Sequence, residues 1–134
     1  MGATATALVG FAAWYVLLTV LLGVYRTSLV LSGKKEANSF ASDASDVPPF
    51  GRRLNRARDN CYETLPLFVA LALGASMAGK TAVTDPLAMY VLCGRIGQSV
   101  THLVSTSVPA VFVRFAFFLV QVAIYAIWAV RLLA

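Results

Sequence analysis

Residues 52–78 read RRLNRARDNCYETLPLFVALALGASMA, and the two parts of that stretch ask for different surroundings. The opening third is basic and polar, with Arg53, Arg56, Asn60 and Glu63 spaced three, four and three residues apart. On an α-helix that spacing puts all four on one face. From Leu65 onward the run turns apolar, without the alternation that a half-buried strand requires. A helix is therefore predicted over about 52–78. Its first third lies at an interface or against other helices, and its remainder lies in lipid or packed protein.

Three further apolar blocks surround it, at about Ala7–Leu31, Pro86–Ser107 and Pro109–Leu133. Each reaches the roughly 20 residues that a hydrocarbon core demands of a helix. The chain is 59% hydrophobic and 13% charged, against about 45–50% and roughly 25% in soluble domains. Blocks this long are not the short alternating segments of a membrane β-barrel. The expectation is one all-α integral membrane domain over residues 1–134, a bundle of four transmembrane helices. The first block lacks a positively charged leader, so it is expected to remain as a helix.

The connections fix the topology. Residues 33–51, GKKEANSFASDASDVPPFG, are rich in Ser, Asp, Ala and Pro and form the one sizeable polar loop. The turn GKTAVTDP is short, so the second and third helices should be an antiparallel hairpin. Within it Asp85 is predicted to cap the third helix and Pro86 to occupy its first position. Six of the eleven basic residues, Lys34, Lys35, Arg52, Arg53, Arg56 and Arg58, cluster in or beside the first loop. Basic loops stay cytoplasmic, which leaves both termini on the opposite side after four crossings.

Composition also excludes several functions. A formal charge of +5 is compatible with nucleic-acid binding, but the basic tract sits beside a spanning segment and has no nucleic-acid motif around it. Cys61 and Cys93 lack paired spacing and a second histidine, so no metal site is expected; both read as small buried hydrophobes. Residues 74–81, GASMAGKT, satisfy the pattern of a phosphate-binding P-loop. That loop needs a strand before it and a helix after it, whereas this one ends a transmembrane helix.

The chemistry lies in two polar stripes. Glu63 stands just ahead of a long apolar run, where an ionised side chain costs about 2.5–3.5 kcal/mol on insertion scales. It requires a cationic partner or a ligand. The third helix supplies a second stripe, Arg95, Gln98, Ser99, His102 and Ser105, at helical spacing. Two readings stand at this point: an internal Arg95–Glu63 salt bridge that holds the bundle, or an anionic ligand that completes a site rich in arginine.

The pattern R-x-x-R-A-x-x-N-x-x-E-x-x-P-x-F, here Arg53, Arg56, Ala57, Asn60, Glu63, Pro66 and Phe68, resembles the MAPEG family. That family groups microsomal glutathione transferases, leukotriene C synthase, a membrane prostaglandin E synthase and the non-catalytic lipoxygenase-activating protein. The stretch NCYETLPLF is especially similar to the leukotriene-synthase branch, and the very short loops look like a bacterial member, in an inner membrane. The resemblance implies a homotrimer of four-helix subunits with glutathione, as co-substrate, bound between neighbours at the cytoplasmic side. It implies glutathione contacts from Arg56, Asn60, Glu63 and Arg95, and less specifically from Arg53. Arginines would fork onto the two carboxylates, and Glu63 would accept the ammonium.

Two positions depart from the family's enzymes. The Tyr seven residues after the helix-three Arg is replaced by His102, which inherits that place at the glutathione site. The thiolate-stabilising Arg that the enzymes carry at the start of helix four is absent from STSVPAVFV, and the nearest cation, Arg114, lies about a turn deeper. Arg114 is thus the candidate catalytic residue. The implied function is a glutathione-dependent transferase or peroxidase acting on lipophilic electrophiles that enter from the bilayer. The alternative is a non-catalytic lipid-binding or accessory subunit of a membrane complex.

Overall fold

A computed structural model describes residues 1–134 as four α-helices without strands: α1 Ala3–Leu31, α2 Pro49–Met77, α3 Thr81–Val104 and α4 Val108–Leu133. Two helix ends owe their shape to glycine. Gly33 and Gly79 have φ of 75° and 66°, the left-handed conformation that costs glycine least. After Gly79, Lys80 N–H reaches back to Ala75 O at 2.8 Å and Gly79 N–H to Ser76 O at 3.2 Å. After Gly33, Lys34 N–H bonds Leu29 O at 3.0 Å. Both are Schellman closures that satisfy the last carbonyls of α1 and α2. The GASMAGKT segment is thus a helix end and its closure, with no strand before it.

The third helix begins earlier than expected. It starts at Thr81, so Pro86 lies inside the helix, past the first turn, and lacks the N–H that would otherwise bond the carbonyl of Ala82. Asp85 does not cap α3. Its carboxylate turns to α1, accepting the backbone N–H of Thr4 at 2.8 Å and also the Thr4 hydroxyl. Thr4 N–H is one of the unpaired donors of the α1 start, and Gly2 offers it no side-chain cap. Sequence proximity favours the local cap; tertiary packing selects the distant one.

The middle pair, α2 and α3, packs against both outer helices, while α1 and α4 do not touch each other. The core draws on all four: Phe11, Leu18, Leu54, Cys61, Phe68, Val91, Tyr125 and Trp128 are buried together. Phe68 is its hub, with Phe11 edge-on at 5.5 Å and Trp128 at 5.9 Å between ring centroids. Helices α3 and α4 approach closely because Gly97 has no side chain; a Cβ there would stand 2.7 Å from Phe117 Cζ.

The outer helices α1 and α4 are long and apolar enough to cross a bilayer, and both leave many large hydrophobic side chains uncovered. Helices α2 and α3 fall short of that composition because polar stripes interrupt them. Cys61 is buried as expected, but Cys93 is exposed on the outer surface of α3; it falls on the face of that helix turned away from the bundle.

The loop between α1 and α2 packs back on α1. Leu29, Ala44 and Val47 form a small buried cluster flanked by Tyr25 and Phe40. Lys35 and Asp46 close it with a 2.6 Å ion pair, and Asp46 also accepts the Ala41 N–H. The hydrogen bond from Lys35 holds the Asp46 carboxyl below the usual carboxylate range.

Candidate functional site

The two polar stripes meet as antiparallel neighbours. Reading down α3, Arg95 Nη2 donates to Thr64 Oγ1 at 2.6 Å, Ser99 Oγ lies 3.5 Å from Cys61 Sγ, and His102 Nδ1 lies 3.1 Å from Asn60 Nδ2. At the end of α3 the carbonyl of Leu103 accepts Arg53 Nε–H at 2.9 Å. The α3 stripe also reaches α4, where Gln121 Nε2 donates to Gln98 Oε1 at 3.0 Å.

Glu63 is not in that row. It points outward, one residue round the helix from Thr64, and is exposed. The chain's salt bridges are Lys35–Asp46 and Arg58–Asp59, so the internal Arg95–Glu63 pair does not form. Arg95 instead lies wholly inside the bundle at 0% exposure, with its guanidinium 5.5 Å above the Phe11 ring. Its Nε and Nη1 have no hydrogen-bond partner.

A polar cleft of about 420 Å³ opens on the outer surface between α2, α3 and α4, lined by Arg56, Asp59, Asn60, Glu63, His102 and Arg114. It gathers five of the seven residues that the sequence singles out. Arg53 lines an adjoining cleft with Arg56, and Arg95 reaches neither, stopping at the α2 wall at Thr64. Asp59 is the lining residue that sequence reasoning misses, although its place three residues after Arg56 and four before Glu63 puts it on their face. It is held by Arg58 at 2.8 Å.

The cleft's centre is the chain Asn60–His102–Arg114. Arg114 Nη1 contacts His102 Nε2. A guanidinium has only donors, so Nε2 must carry the lone pair and the ring proton must sit on Nδ1. Nδ1–H then needs an acceptor. Amide oxygen and nitrogen are assigned from such networks, and the consistent assignment turns Asn60 Oδ1 towards His102. The Asn60 amide N–H₂ is thereby left to donate elsewhere. His102 holds Arg114 half-buried at the cleft, supplying a cation despite the uncharged start of α4.

With Asp59 neutralised by Arg58, the remaining charged groups of the cleft are Arg56, Arg114 and Glu63, one net positive charge. The cleft therefore offers forked donors for carboxylates, an acceptor for an ammonium, and a partly buried cation.

The model of the MAPEG family matches residues 4–134. No curated protein and no solved structure matches the chain.

Proposed function

Because the chain belongs to the MAPEG family, and is therefore a membrane protein of the glutathione and eicosanoid metabolism type, we propose that it is a glutathione-dependent transferase or peroxidase acting on lipophilic electrophiles. The observation that carries this reading is Arg114, held by His102 in the same cleft as Arg56, Asn60 and Glu63. Glutathione has two carboxylates and one ammonium, a net charge that complements the cleft. Arg56 and the Asn60 amide bind carboxylate, and Glu63 binds the ammonium. Arg53, fixed beside Arg56, extends the same basic surface. Arg95 acts from behind the wall, adding positive potential without contact.

In this reading Arg114 is the catalytic residue. A guanidinium beside the thiol lowers its pKa from about 8.5 towards neutrality, so the thiol proton passes to solvent water and the thiolate sulfur attacks the electrophilic carbon. A C–S bond forms, and the displaced electron pair leaves with the leaving group. Fixed charge in a site shielded from water acts more strongly than in bulk solvent. The lipophilic partner arrives along the apolar surface of α4.

Exposure supports an assembly, and the family resemblance makes it a trimer. Glu63 and the open cleft cannot face hydrocarbon, where polar groups go unsatisfied. A second copy of the chain covers that surface in a homotrimer, with all four helices crossing a bacterial inner membrane and the basic loop in the cytoplasm. The deciding experiment is the ultraviolet thiolate band on mixing glutathione with purified protein. The band is expected in the wild type and lost in Arg114→Ala, with glutathione affinity largely retained. Binding without any band would favour the accessory-subunit reading instead, which rests on the uncharged start of α4.

A further inference from the structure

We propose that the second polar cleft binds the phosphate headgroup of an anionic phospholipid. This cleft, about 520 Å³, lies where α2 and α4 begin and is lined by Asp43, Ser45, Arg52, Arg53, Arg56 and Thr106 together with Pro49. Apart from Pro49, every side chain that lines it is polar or charged. It shares only Arg56 with the first cleft, and the inference does not rest on glutathione binding.

Three arginines converge there against a single carboxylate. Asp43 stays ionised, since the Ser45 N–H at 3.0 Å holds its carboxyl below the usual range. With Arg56 already counted in the first cleft, Arg52 and Arg53 less Asp43 leave one positive charge, which matches the single negative charge of a phosphodiester. The side chains of Arg52 and Arg56 are exposed and make no hydrogen bond within the chain. Arg53 is set in place by its Nε–H bond to Leu103 O and lies 5.9 Å from the Phe50 ring centroid, so its two terminal nitrogens form a fixed fork. A fixed guanidinium fork flanked by two free arginines and the Ser45 and Thr106 hydroxyls suits a phosphate more than a single carboxylate.

The surroundings identify the carrier. Val104 and Val108 flank Thr106 at 74% and 70% exposure, and Phe112 follows one turn along α4 at 69%. An apolar strip thus runs from the cleft's edge along the outside of α4. A soluble phosphate would meet the arginines and leave that strip bare, whereas a phospholipid covers both, with its headgroup at the arginines and its acyl chains along α4. Basic residues at the membrane surface attract anionic lipids in this way.

The test is native mass spectrometry of the full chain from mixed micelles containing equal phosphatidylglycerol and phosphatidylcholine. The wild type is expected to retain phosphatidylglycerol preferentially, and Arg52→Gln to lower that preference about fivefold. Lys34→Gln, which removes a loop cation outside the cleft, should leave it unchanged. Equal retention of both lipids, an undiminished preference in Arg52→Gln, or an equal loss in Lys34→Gln would each overturn the proposal. Glycerol 3-phosphate at matched phosphate concentration should not displace the lipid; displacement would refute the lipid as carrier. Glutathione binding in Arg52→Gln, measured in parallel, should match the wild type, which keeps the two clefts' outcomes separate.

Discussion

Replacing Arg95 with methionine tests whether that residue is a ligand contact or an interior cation. Arg95→Met removes one charge-assisted hydrogen bond, to Thr64, and one cation–π contact, to Phe11. Hydrogen bonds to charged groups contribute about 1.5–3 kcal/mol in general, but interhelical bonds in membrane proteins average nearer ~0.6 and reach ~1.7 kcal/mol. A coupling of about 1–2 kcal/mol between Arg95 and Thr64 is therefore expected. The cation–π contact adds about 2 kcal/mol in a desolvated site. Against these stands the cost of a fully buried charge with two unpartnered nitrogens, several kcal/mol after relaxation. The terms nearly cancel, so Arg95→Met should lie within about 2 kcal/mol of the wild type in either direction. Thr64→Val should cost about 1–2 kcal/mol in the wild type and almost nothing in the Arg95→Met background. The measurement is a double-mutant cycle by denaturant titration in mild detergent, with glutathione affinity recorded for each variant. A loss above about 3 kcal/mol in Arg95→Met, or an equal Thr64→Val cost in both backgrounds, would refute the reasoning.

Gly97→Ala should destabilise the bundle by about 1–3 kcal/mol through overpacking against Phe117, and Phe117→Leu should restore part of the loss; thermal melting measures both, and an unchanged midpoint would count against the close approach. The Lys35–Asp46 pair should hold the loop at neutral pH. Because the folded carboxyl titrates below its unfolded value near ~3.9, its contribution is complete above that pH and disappears as pH falls through the lowered value. Acid should therefore expose residues 33–48 to limited proteolysis in the wild type, whereas Asp46→Asn should be equally open at neutral and acid pH; a mutant as protected as the wild type at neutral pH would exclude the pair as the cause. Ser42→Cys should be labelled by impermeant reagents only from the cytoplasmic side, and external labelling would reverse the proposed orientation.

Four helices are legible in the sequence because α1 and α4 are long apolar blocks and α2 and α3 carry apolar runs broken only by polar residues at helical spacing, and the α2 stripe is legible because three- and four-residue spacing has one meaning on a helix. The start of α3 is not. A Pro after an Asp looks like a helix entrance, yet Asp85 is occupied by Thr4, far away in sequence. Arg95 marks a second limit. Periodicity puts it on the α3 face that meets α2, which is where it lies, but cannot say that its partner there is Thr64 while Glu63 turns outward. Two adjacent residues on a helix diverge by more than a quarter turn, enough to separate the bundle interior from its outer surface. The contact between Arg114 and His102 depends on how α3 and α4 are packed, and no spacing within one helix encodes it.

The bond between Thr4 and Asp85 also orders events in time. The two residues are 81 positions apart, so α1 is synthesised and delivered to the membrane before the carboxylate that caps it has left the ribosome. Until α3 arrives, the first turn of α1 has only solvent or lipid headgroups for its free N–H groups, a deficit of about 1 kcal/mol for a missing cap. The nascent helix begins frayed and is fastened late. A truncated chain ending before α3 should therefore show a first turn that exchanges its amide hydrogens freely, and the full-length protein one that does not.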